Sequence, residues 1–473
     1  MESAYDLCVI GAGTAGFAAA NAARTRGATV ALVSGPGDLG GTCILRGCMP
    51  VKTLLSSTER LGEVNHAERL GVHVSQERLD LREVVARKRE LVDYFAADRV
   101  HELESYPLFR GRARFAARDT VVVDGRTLRA GAFVIATGST IGDPGIAGLA
   151  RDAYFTSDDA LEMTRPPTSL AIVGAGPVGC EFAQYFARLG SCVTLLQAEA
   201  NVLRNEDDDV GEAIGAVLGH DGVDVRTGAT IERCERAGDA FALTYRDAHG
   251  AGRFVVAAIM LASERRPNVA DLGLEVADVA YDAGGVRVDA ALRTTNPAIF
   301  AAGDVLGRRC LVHVAAYAGA LAARNALSGA SVAADFDRFE AHAIYTQPEV
   351  AVAGLTERAC RERGLDITVR HHRFTDVGKA LVSDVASGFV KMIADRSGRV
   401  RGVTIVGDDA IDLIGEGIAL VDRGATTADI AEMPHLHPTL GEIFARVAED
   451  FEAPEDDLSA PDASSSQDVT AAR

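Results

Sequence analysis

A glycine-rich pattern that occurs twice constrains the fold of this chain more than any other feature. In the first copy, the apolar run YDLCVI leads into GAGTAG, which opens an alanine-rich segment followed by a second apolar run, GATVALV. In the second copy, LAIV leads into GAGPVG, and the run CVTLL follows the next segment. Each copy predicts a strand, a tight turn, a helix and a second strand.

The glycines of the two copies indicate what these turns are for. They are Gly11, Gly13 and Gly16 in the first copy and Gly174, Gly176 and Gly179 in the second. In this order they allow a tight turn, close approach of the backbone to a pyrophosphate, and close packing of helix on strand, while the helix N-terminus offers free N–H groups to the anion. Either copy alone could be plain structure. Together they predict an α/β fold with two Rossmann-like dinucleotide-binding domains.

Ser34 and Gln197 stand at the ends of the second strands, where a carboxylate is expected to bind the ribose hydroxyls of a dinucleotide. Each side chain can hydrogen-bond a hydroxyl but brings no charge. After Gln197 no arginine follows until Arg204, and Glu199 lies close by in the sequence. Because these residues disfavour a 2′-phosphate, we expect NAD(H) rather than NADP(H) at the second site.

Composition excludes several other classes of protein. With 473 residues, 48% of them hydrophobic, the chain can form roughly three domains with well-filled cores. Its net charge of -19 argues against nucleic acid or an anionic membrane as a partner. The start, MESAYD, lacks a basic n-region, and no apolar run approaches the roughly 20 residues of a membrane span. We therefore expect a cytoplasmic protein.

Two cysteines, Cys43 and Cys48, lie close together in the stretch GGTCILRGCMPVK. In a regular helix, the Cα atoms of residues five apart are roughly 8.6 Å from each other, whereas a disulfide needs less than about 7 Å. A bonded pair therefore requires a break in the helix, which Gly47 and Pro50 permit. We expect a loop-to-helix junction, where the helix dipole lowers a cysteine pKa and makes the pair reactive.

The cysteine pair has three possible explanations: a metal site, core packing or redox chemistry. The eight cysteines offer no second close pair for zinc, so we expect no metal. If the two cysteines were only unbonded core residues, the glycines of the same stretch and Lys52 would have no explanation. A disulfide cannot itself accept a hydride from nicotinamide, but a flavin converts a hydride into thiol chemistry. The economical interpretation is FAD in the first nucleotide site and a nicotinamide nucleotide in the second.

Further motifs carry a family resemblance. VIATGS at 134–139, TTNPAIFAAGD at 294–304 and HLHPTLGE at 435–442 accompany the cysteine segment and the two glycine patterns. Together they resemble the pyridine nucleotide-disulfide oxidoreductases, the flavoprotein family of dihydrolipoamide dehydrogenase, glutathione reductase and mercuric reductase. The similarity runs from about residue 4 to about residue 450, in the family's order.

The resemblance implies roles for the central side chains. Cys43 would be the thiol that attacks the substrate, and Cys48, its disulfide partner, would lie against the flavin. Lys52 would sit near the flavin N5 atom, paired with Glu181. The implied FAD-binding residues are Gly11, Gly13, Gly16, Ser34, Thr42, Lys52, Ala113, Thr137, Gly138, Gly303 and Asp304. The implied nicotinamide-nucleotide residues are Gly174, Gly176, Gly179 and Gln197.

His437 carries the acid–base role that the resemblance implies. It would take a proton from the substrate thiol or return one to Cys43, while Glu442 holds its other ring nitrogen and so sets tautomer and basicity. His435 is expected to be structural. In the family the histidine and glutamate come from the partner subunit, which implies a homodimer.

The substrate is the least constrained expectation. Pro177 and Val178 replace the Tyr-Ile pair typical of glutathione reductase, and the tail lacks the cysteine pair expected of a mercuric reductase, although 311–327 reads more like mercuric reductases. We expect a dihydrolipoamide-type dithiol or disulfide, free or on a lipoyl-bearing protein. A mercuric-reductase-like enzyme or another small-disulfide reductase is the alternative. The uncharged ribose positions, with Glu264 where the family has glycine, leave a non-catalytic, nucleotide-binding redox sensor as a further alternative.

The motifs also divide the chain into domains. We expect an FAD-binding domain at 1–150, an NAD(P)-binding domain at 151–278, a central segment that completes the FAD site at 279–334, a dimerisation domain at 335–450 and a disordered acidic tail at 451–473. In the dimerisation domain, YTQPEVAVAGLTE, GFVKMIAD and GRVRGVTIVG predict strands of an antiparallel sheet, which makes this domain α+β.

Overall fold

The computed structural model describes residues 4–75, 79–263, 265–329 and 331–452. Within them the expected α/β fold with an α+β C-terminal domain is confirmed. Glu264 and the predicted acidic tail from residue 453 onward lie outside the described residues. Each described helix is too short or too polar to pass through a lipid bilayer.

The secondary structure of the described residues follows in chain order. The α-helices are α1 (Thr14–Arg24), α2 (Gly41–Leu45), α3 (Cys48–His66), α4 (Leu81–Glu104), α5 (Ser157–Ala160), α6 (Pro177–Arg188), α7 (Asp208–His220), α8 (Val312–Ser328), α9 (Glu357–Glu362), α10 (Gly378–Val382), α11 (Ala410–Arg423), α12 (Thr427–Ala431) and α13 (Glu442–Glu449). The strands are β1 (Ala4–Ile10), β2 (Val30–Ser34), β3 (Leu108–Arg110), β4 (Ala113–Ala117), β5 (Thr120–Val123), β6 (Arg126–Ile135), β7 (Ser139–Ile141), β8 (Phe155–Thr156), β9 (Ser169–Val173), β10 (Cys192–Leu196), β11 (Asp224–Arg226), β12 (Thr230–Ala237), β13 (Ala240–Asp247), β14 (Gly250–Val256), β15 (Ala258–Leu261), β16 (Arg265–Pro267), β17 (Tyr281–Asp282), β18 (Gly285–Val286), β19 (Ile299–Ala301), β20 (Ala341–Ile344), β21 (Glu349–Gly354), β22 (Ile367–Arg373), β23 (Phe389–Asp395) and β24 (Val400–Gly407).

The described residues form two compact units. The first takes those within Met1–Leu54, Arg82–Asp143 and Glu264–Phe336. The second takes those within Leu55–Leu81, Pro144–Ser263 and Asp337–Arg473. The expected domain boundaries at about 150, 278 and 334 stay predictions.

A seven-stranded sheet forms the core of the first unit. Its order is β3-β2-β1-β6-β5-β4, with β19 beside β6. The central strand β1 pairs in parallel with β2 and with β6. Leu7 to Ile10 are all buried. A parallel strand that is covered on both faces is apolar throughout, and this is why the run YDLCVI could be recognised as a strand from the sequence. Helix α1, which follows the first glycine turn, packs on this sheet and against α8.

The second unit contains a parallel sheet in the order β11-β10-β9-β15-β8. Here β9, α6 and β10 are the second glycine-rich copy, and the strand β10 (Cys192–Leu196) coincides with the run CVTLL. A three-stranded antiparallel sheet, β12-β13-β14, is inserted between β11 and β15 in the chain.

The second unit also contains the predicted C-terminal sheet, which is confirmed as antiparallel in the order β20-β21-β24-β23-β22. Helix α11 packs on β21 and β24. Buried side chains such as Val390, Met392, Val403 and Ile405 form the core beneath it. The segment between α12 and α13 carries His437, so this core supports the loop that holds the candidate acid–base residue.

Candidate active site

The turn between β1 and α1 places glycines, which have no side chain, at the start of a helix. Gly11 has φ +116, and a Cβ there would lie inside the Ala136 carbonyl group, so only glycine fits. Gly13 is the N-cap of α1 and supplies no side-chain cap, which leaves the first-turn N–H groups open to an anion. The geometry expected of a pyrophosphate-binding turn is therefore present.

A second glycine segment faces this turn. Gly41 has φ +76, and a Cβ on it would lie 2.7 Å from the Cα of Gly13. The backbones at Gly13 and Gly41 therefore lie against each other without side chains, and a Cβ would fill the space between them. Ser34 ends the neighbouring strand β2 and is buried. These residues fit the dinucleotide portion of FAD, because a phosphate chain needs close backbone approach and N–H donors.

The cysteine pair lies at a break between two helices, as expected. Cys43 is in the five-residue helix α2, which ends before Arg46 and Gly47, and Cys48 is the first residue of α3. Both are present as thiols, Cys43 half-buried and Cys48 exposed. The thiol of Cys43 is hydrogen-bonded with Cys48, which places the two sulfur atoms together.

The lowered pKa expected of a cysteine at the helix N-terminus concerns Cys48, the first residue of α3, and stays a prediction. For Cys43, the hydrogen bond with the Cys48 side chain raises the pKa and burial raises it further, while a backbone hydrogen bond with Cys48 and the charge of Arg99 oppose them only in part. The physical reason is that Cys43 shares a proton with a neighbouring thiol and does not itself begin the long helix. Arg99, in α4, was missed by the sequence reasoning because nothing in its local pattern points to Cys43.

Lys52 and Glu181 are placed on separate helices. Lys52 is half-buried in α3, four residues after Cys48. Glu181 is only 2% exposed in α6, and its Oε1 accepts a hydrogen bond of 2.9 Å from the Tyr345 N–H. The pairing of Lys52 with Glu181 stays a prediction.

Three motifs that are distant in the sequence meet around Asp304. The Ser139 hydroxyl donates to Oδ2 of Asp304 at 2.7 Å. Arg265 donates from Nε to the Ser139 hydroxyl at 2.8 Å and from a terminal nitrogen to the Ser139 carbonyl at 2.9 Å. Nearby, the Thr137 hydroxyl donates to the Asn268 carbonyl at 2.7 Å. Ser139 is the last residue of VIATGS and Arg265 follows Glu264, but the sequence offered no reason to single them out.

The other expected FAD residues lie in the same unit. Gly138 precedes β7, Gly303 begins the turn that contains Asp304, and Thr42 is in α2. Ala113 begins β4 opposite Val123. Their contacts with FAD stay predictions.

The second glycine turn lies between β9 and α6. A Cβ on Gly174 would lie 2.8 Å from the Ala262 carbonyl oxygen, and one on Gly179 would overlap the Gly174 carbonyl. Gly176 is the N-cap of α6 and offers no side-chain cap, so the helix start is again open. The turn thus repeats the anion-binding arrangement of the first copy.

Among the described residues, the arginine that follows the end of β10 in the chain is already ion-paired. Oε1 of Gln197 accepts from the Ala175 N–H at 3.4 Å, which ties this side chain to the glycine turn. Arg204, the next arginine in the chain, is ion-paired with Glu199 at 2.8 Å. This ion pair is solvent-exposed, and the preference for NAD(H) over NADP(H) stays a prediction.

His437 and Glu442 form the expected pair. Nδ1 of His437 lies 2.9 Å from Oε1 of Glu442, and Oε2 of Glu442 accepts from the Thr439 N–H at 3.0 Å. The hydrogen bond with His437, followed by the one from Thr439, holds the pKa of Glu442 below its ordinary value. The His437 side chain is 77% exposed and so accessible to a reacting group.

His435 has a different environment. Its Nε2 lies 2.8 Å from Oε1 of Glu416, and its Nδ1 lies 3.0 Å from the Met433 carbonyl oxygen. Both ring nitrogens are thus engaged within the loop and with α11. This is consistent with the structural role expected for His435.

Comparison with known proteins places the chain among relatives of known class. Residues 5–319 match the family model described as pyridine nucleotide-disulphide oxidoreductase, and residues 341–448 match its dimerisation domain. The chain is 35% identical to a mercuric reductase of Bacillus cereus, over 93% of this chain and 70% of that protein. It is 34% identical to a dihydrolipoyl dehydrogenase of Bacillus subtilis strain 168, over 93% of this chain and 96% of that protein.

A solved structure agrees with these matches. The fold is similar to that of the HOCl-induced flavoprotein disulfide reductase RclA from Escherichia coli, with a TM-score of 0.82, 27% identity, and coverage of 94% of this chain and 99% of that one. Both glycine turns, the adjacent cysteines and the C-terminal sheet agree with this class. The chain therefore belongs to the pyridine nucleotide-disulphide oxidoreductase family of FAD-dependent flavoproteins, and it carries that family's dimerisation domain.

Proposed function

We propose that this protein is an NADH-linked flavoprotein that exchanges two electrons between nicotinamide and a small dithiol or disulfide of the dihydrolipoamide type. The observation that carries the proposal is the hydrogen bond between Cys43 and Cys48 at the break before α3. In the oxidised protein these two cysteines can form a disulfide, and this disulfide accepts two electrons from a substrate dithiol. The reaction returns a substrate disulfide and two protein thiols, so atoms and electrons balance.

Bound FAD supplies the conversion between thiol chemistry and hydride transfer to nicotinamide. The chain would hold its pyrophosphate at the Gly13 and Gly41 backbones and its ribityl portion at Gly303 and Asp304. Lys52, paired with Glu181, would place a positive charge near the reacting ring.

The His437–Glu442 pair supports a thiol substrate. A substrate thiol must lose its proton before its sulfur attacks a disulfide, and a neutral imidazole can accept that proton. Glu442 holds Nδ1 of His437, which leaves Nε2 as the acceptor. The pair would serve the active site of the partner subunit in a homodimer, and it would return the proton to Cys43 at the end of the exchange.

The ion pair between Glu199 and Arg204 supports NADH over NADPH. A 2′-phosphate carries about two negative charges and needs an unpaired cation. Arg204 is already neutralised, and Gln197 can only hydrogen-bond a hydroxyl. The substrate of the second site is therefore the nucleotide without the extra phosphate.

A second candidate is reduction of a metal ion such as Hg(II) or Cu(II) at the same two thiols. Its support is the similarity to a mercuric reductase and to RclA, which has also been solved as a Cu(II) complex. In this reaction the dithiol would release two protons to solvent and lose two electrons to become a disulfide, while one Hg(II) is reduced to Hg(0) or two Cu(II) ions are reduced to Cu(I). No proton is taken from the substrate, so His437 would have no task.

Steady-state assays with the purified dimer test these alternatives. We expect NAD⁺ reduction by dihydrolipoamide and NADH oxidation by lipoamide, each lowered at least about 10³-fold by Cys43→Ser or Cys48→Ser. Cys192→Ser, which changes an exposed cysteine on β10, is the matched control and keeps the rate. Turnover of Hg(II) or Cu(II) without lipoamide activity favours the second candidate, and full activity in both serine variants contradicts either one.

A further inference from the structure

A chain of hydrogen bonds links Arg265 to Asp304 through Ser139. The guanidinium donates to the Ser139 hydroxyl at 2.8 Å, and this hydroxyl lies 2.7 Å from Oδ2 of Asp304. Ser139 is only 8% exposed. The three residues come from separate parts of the sequence but belong to the same unit, and the pairing of β7 with β16 aligns Ser139 with Pro267, two residues beyond Arg265.

The direction of these hydrogen bonds follows from the chemistry of the three groups. A guanidinium has only donors, and an ionised carboxylate has only acceptors. The Ser139 oxygen must therefore accept from Arg265, and its single proton must point to Asp304. A hydroxyl with its proton committed in this way favours one rotamer of the half-buried carboxylate, because the other rotamers would lose this donor.

Arginine suits this position better than lysine. Its Nε donates to the Ser139 hydroxyl while a terminal nitrogen donates to the Ser139 carbonyl at 2.9 Å. One planar group therefore binds both oxygen atoms of a single residue. An ammonium group cannot present two donors in this fixed fork. The neighbouring Arg266 is exposed and donates to the Asp143 carbonyl, outside this chain of bonds.

We propose that Arg265 is a positioning residue for FAD, which acts through Ser139 to hold Asp304 as the acceptor of the flavin's ribityl hydroxyls. The inference rests on the proposed FAD site at Asp304. It adds that the affinity of this site is set by a guanidinium that does not touch the cofactor. It also predicts that Arg265 and Ser139 act in series, since among the described contacts the hydrogen bonds from Arg265 reach Asp304 through Ser139.

Reconstitution of the apo-protein with FAD tests the proposal. The dissociation constant is measured by flavin fluorescence for Arg265→Met, Arg265→Lys, Ser139→Ala and the double variant Arg265→Met/Ser139→Ala. We expect each single variant to weaken FAD binding about 10-fold, and the double variant to be no weaker than Ser139→Ala alone. Arg266→Met is the matched control and keeps the wild-type affinity.

A second double variant and a stability measurement separate positioning from a general effect on folding. The hydrogen-bonded series from Arg265 through Ser139 to Asp304 is called the relay below. In an Asp304→Asn background, Arg265→Met should have no further effect on FAD affinity, because the carboxylate that the relay orients is gone. Thermal unfolding of the apo-protein should be the same for wild type, Arg265→Met and Arg266→Met. A loss of apo-protein stability that accounts for the weaker FAD binding would overturn the proposal.

The remaining outcomes are also decisive. Wild-type FAD affinity in Arg265→Met, or fully additive losses in Arg265→Met/Ser139→Ala, would overturn the relay while the proposed function stands. Failure of the wild-type protein to bind FAD at all would overturn both. Relay behaviour as expected, combined with no turnover of lipoamide, would sustain this inference and reject the proposed substrate.

Discussion

Nδ1 of His437 lies 2.9 Å from Oε1 of Glu442, the first residue of α13. The carboxylate sits at a helix N-terminus, where the dipole stabilises negative charge, and it also accepts the Thr439 N–H. It therefore holds Nδ1 of the imidazole as the donor and leaves Nε2 for proton exchange. This relationship sets the first prediction.

His437→Gln should lower lipoamide turnover about 10²- to 10⁴-fold, because the proton acceptor is lost. Glu442→Gln should lower it about 10-fold or more, since an amide no longer fixes the tautomer. Anaerobic reduction of the protein by NADH should be unaffected, because it needs no substrate thiol. His249→Gln changes an exposed histidine on the second unit and should be silent. Unchanged turnover in His437→Gln would exclude the acid–base role.

Gly11→Ala should abolish FAD retention and lower the free energy of unfolding by about 3 kcal/mol or more. The added Cβ would collide with the Ala136 carbonyl at a backbone conformation that other residues rarely adopt. Gly219→Ala in α7 is the control, since a Cβ there meets nothing within 4 Å. It should leave stability unchanged or raise it by up to about 1 kcal/mol. Flavin content and thermal unfolding measure both, and a stable, flavin-bound Gly11→Ala protein would refute the close approach.

Asp209 should make the protein sensitive to acid. Burial raises the pKa of Asp209, but hydrogen bonds from His371 and Lys391 outweigh burial and lower it from 3.8 to about 2. Lys391 is fully buried and lies 2.7 Å from Asp209 and 2.8 Å from Asp207. A depressed carboxyl pKa contributes stability that is present above the unfolded value, near pH 4, and is lost as the pH falls towards 2.

Asp209→Asn should therefore lower the free energy of unfolding by about 1.5–3 kcal/mol at neutral pH, with the difference shrinking towards pH 2. Asp208→Asn is the control, because Asp208 accepts only an exposed hydrogen bond from Asn201 among the described contacts. Its effect should stay below about 1 kcal/mol. Denaturant unfolding at pH 7 and pH 3 measures both, and a pH-independent difference would contradict the linkage.

Glu349 should have the opposite pH dependence. Burial raises the pKa of Glu349 to about 7, and the charges of Glu59, Asp409 and Asp412 add to it, although its Oε2 accepts the Ile411 N–H at 3.0 Å. A raised carboxyl pKa contributes stability that is present below the unfolded value of 4.5 and is lost as the pH rises through 7.

Glu349→Gln should thus be more stable than wild type at pH 8, by about 1–2 kcal/mol after allowance for solvent screening, and similar to it below pH 5. The amide oxygen still accepts from Ile411, so the substitution changes charge with little change of shape. Thermal unfolding at pH 5 and pH 8 provides the comparison. Equal stability at pH 8 would show that Glu349 is not held in a desolvated position.

Several elements followed from the sequence because their causes are local. The apolar runs of β1 and β9 are strands with buried residues on both faces, and the glycines after them mark turns that a Cβ would block. The helix break before Cys48 follows in the same way from Gly47 and the short reach of a disulfide. The antiparallel C-terminal sheet was readable from its alternating strands.

Lys391 shows where local patterns fail. It lies in GFVKMIAD, where an alternating strand suggests a solvated lysine, yet it is 0% exposed and bonded to two aspartates far away in the chain. The relation of Arg265 to Ser139 and Asp304, and the influence of Arg99 on Cys43, are equally invisible in the sequence. The raising of the Cys43 pKa by the Cys48 side chain and by burial also depends on the folded structure.

The sequence by itself determined the two nucleotide-binding turns, the placement of the cysteine pair and the family, because steric limits on the backbone and apolar periodicity act between near neighbours in the chain. Only the tertiary structure decided which charges meet and which carboxyl groups are desolvated. Hydrogen bonds and Coulomb interactions depend on distance through space, and folding alone brings residues such as Ser139 and Asp304 within 2.7 Å.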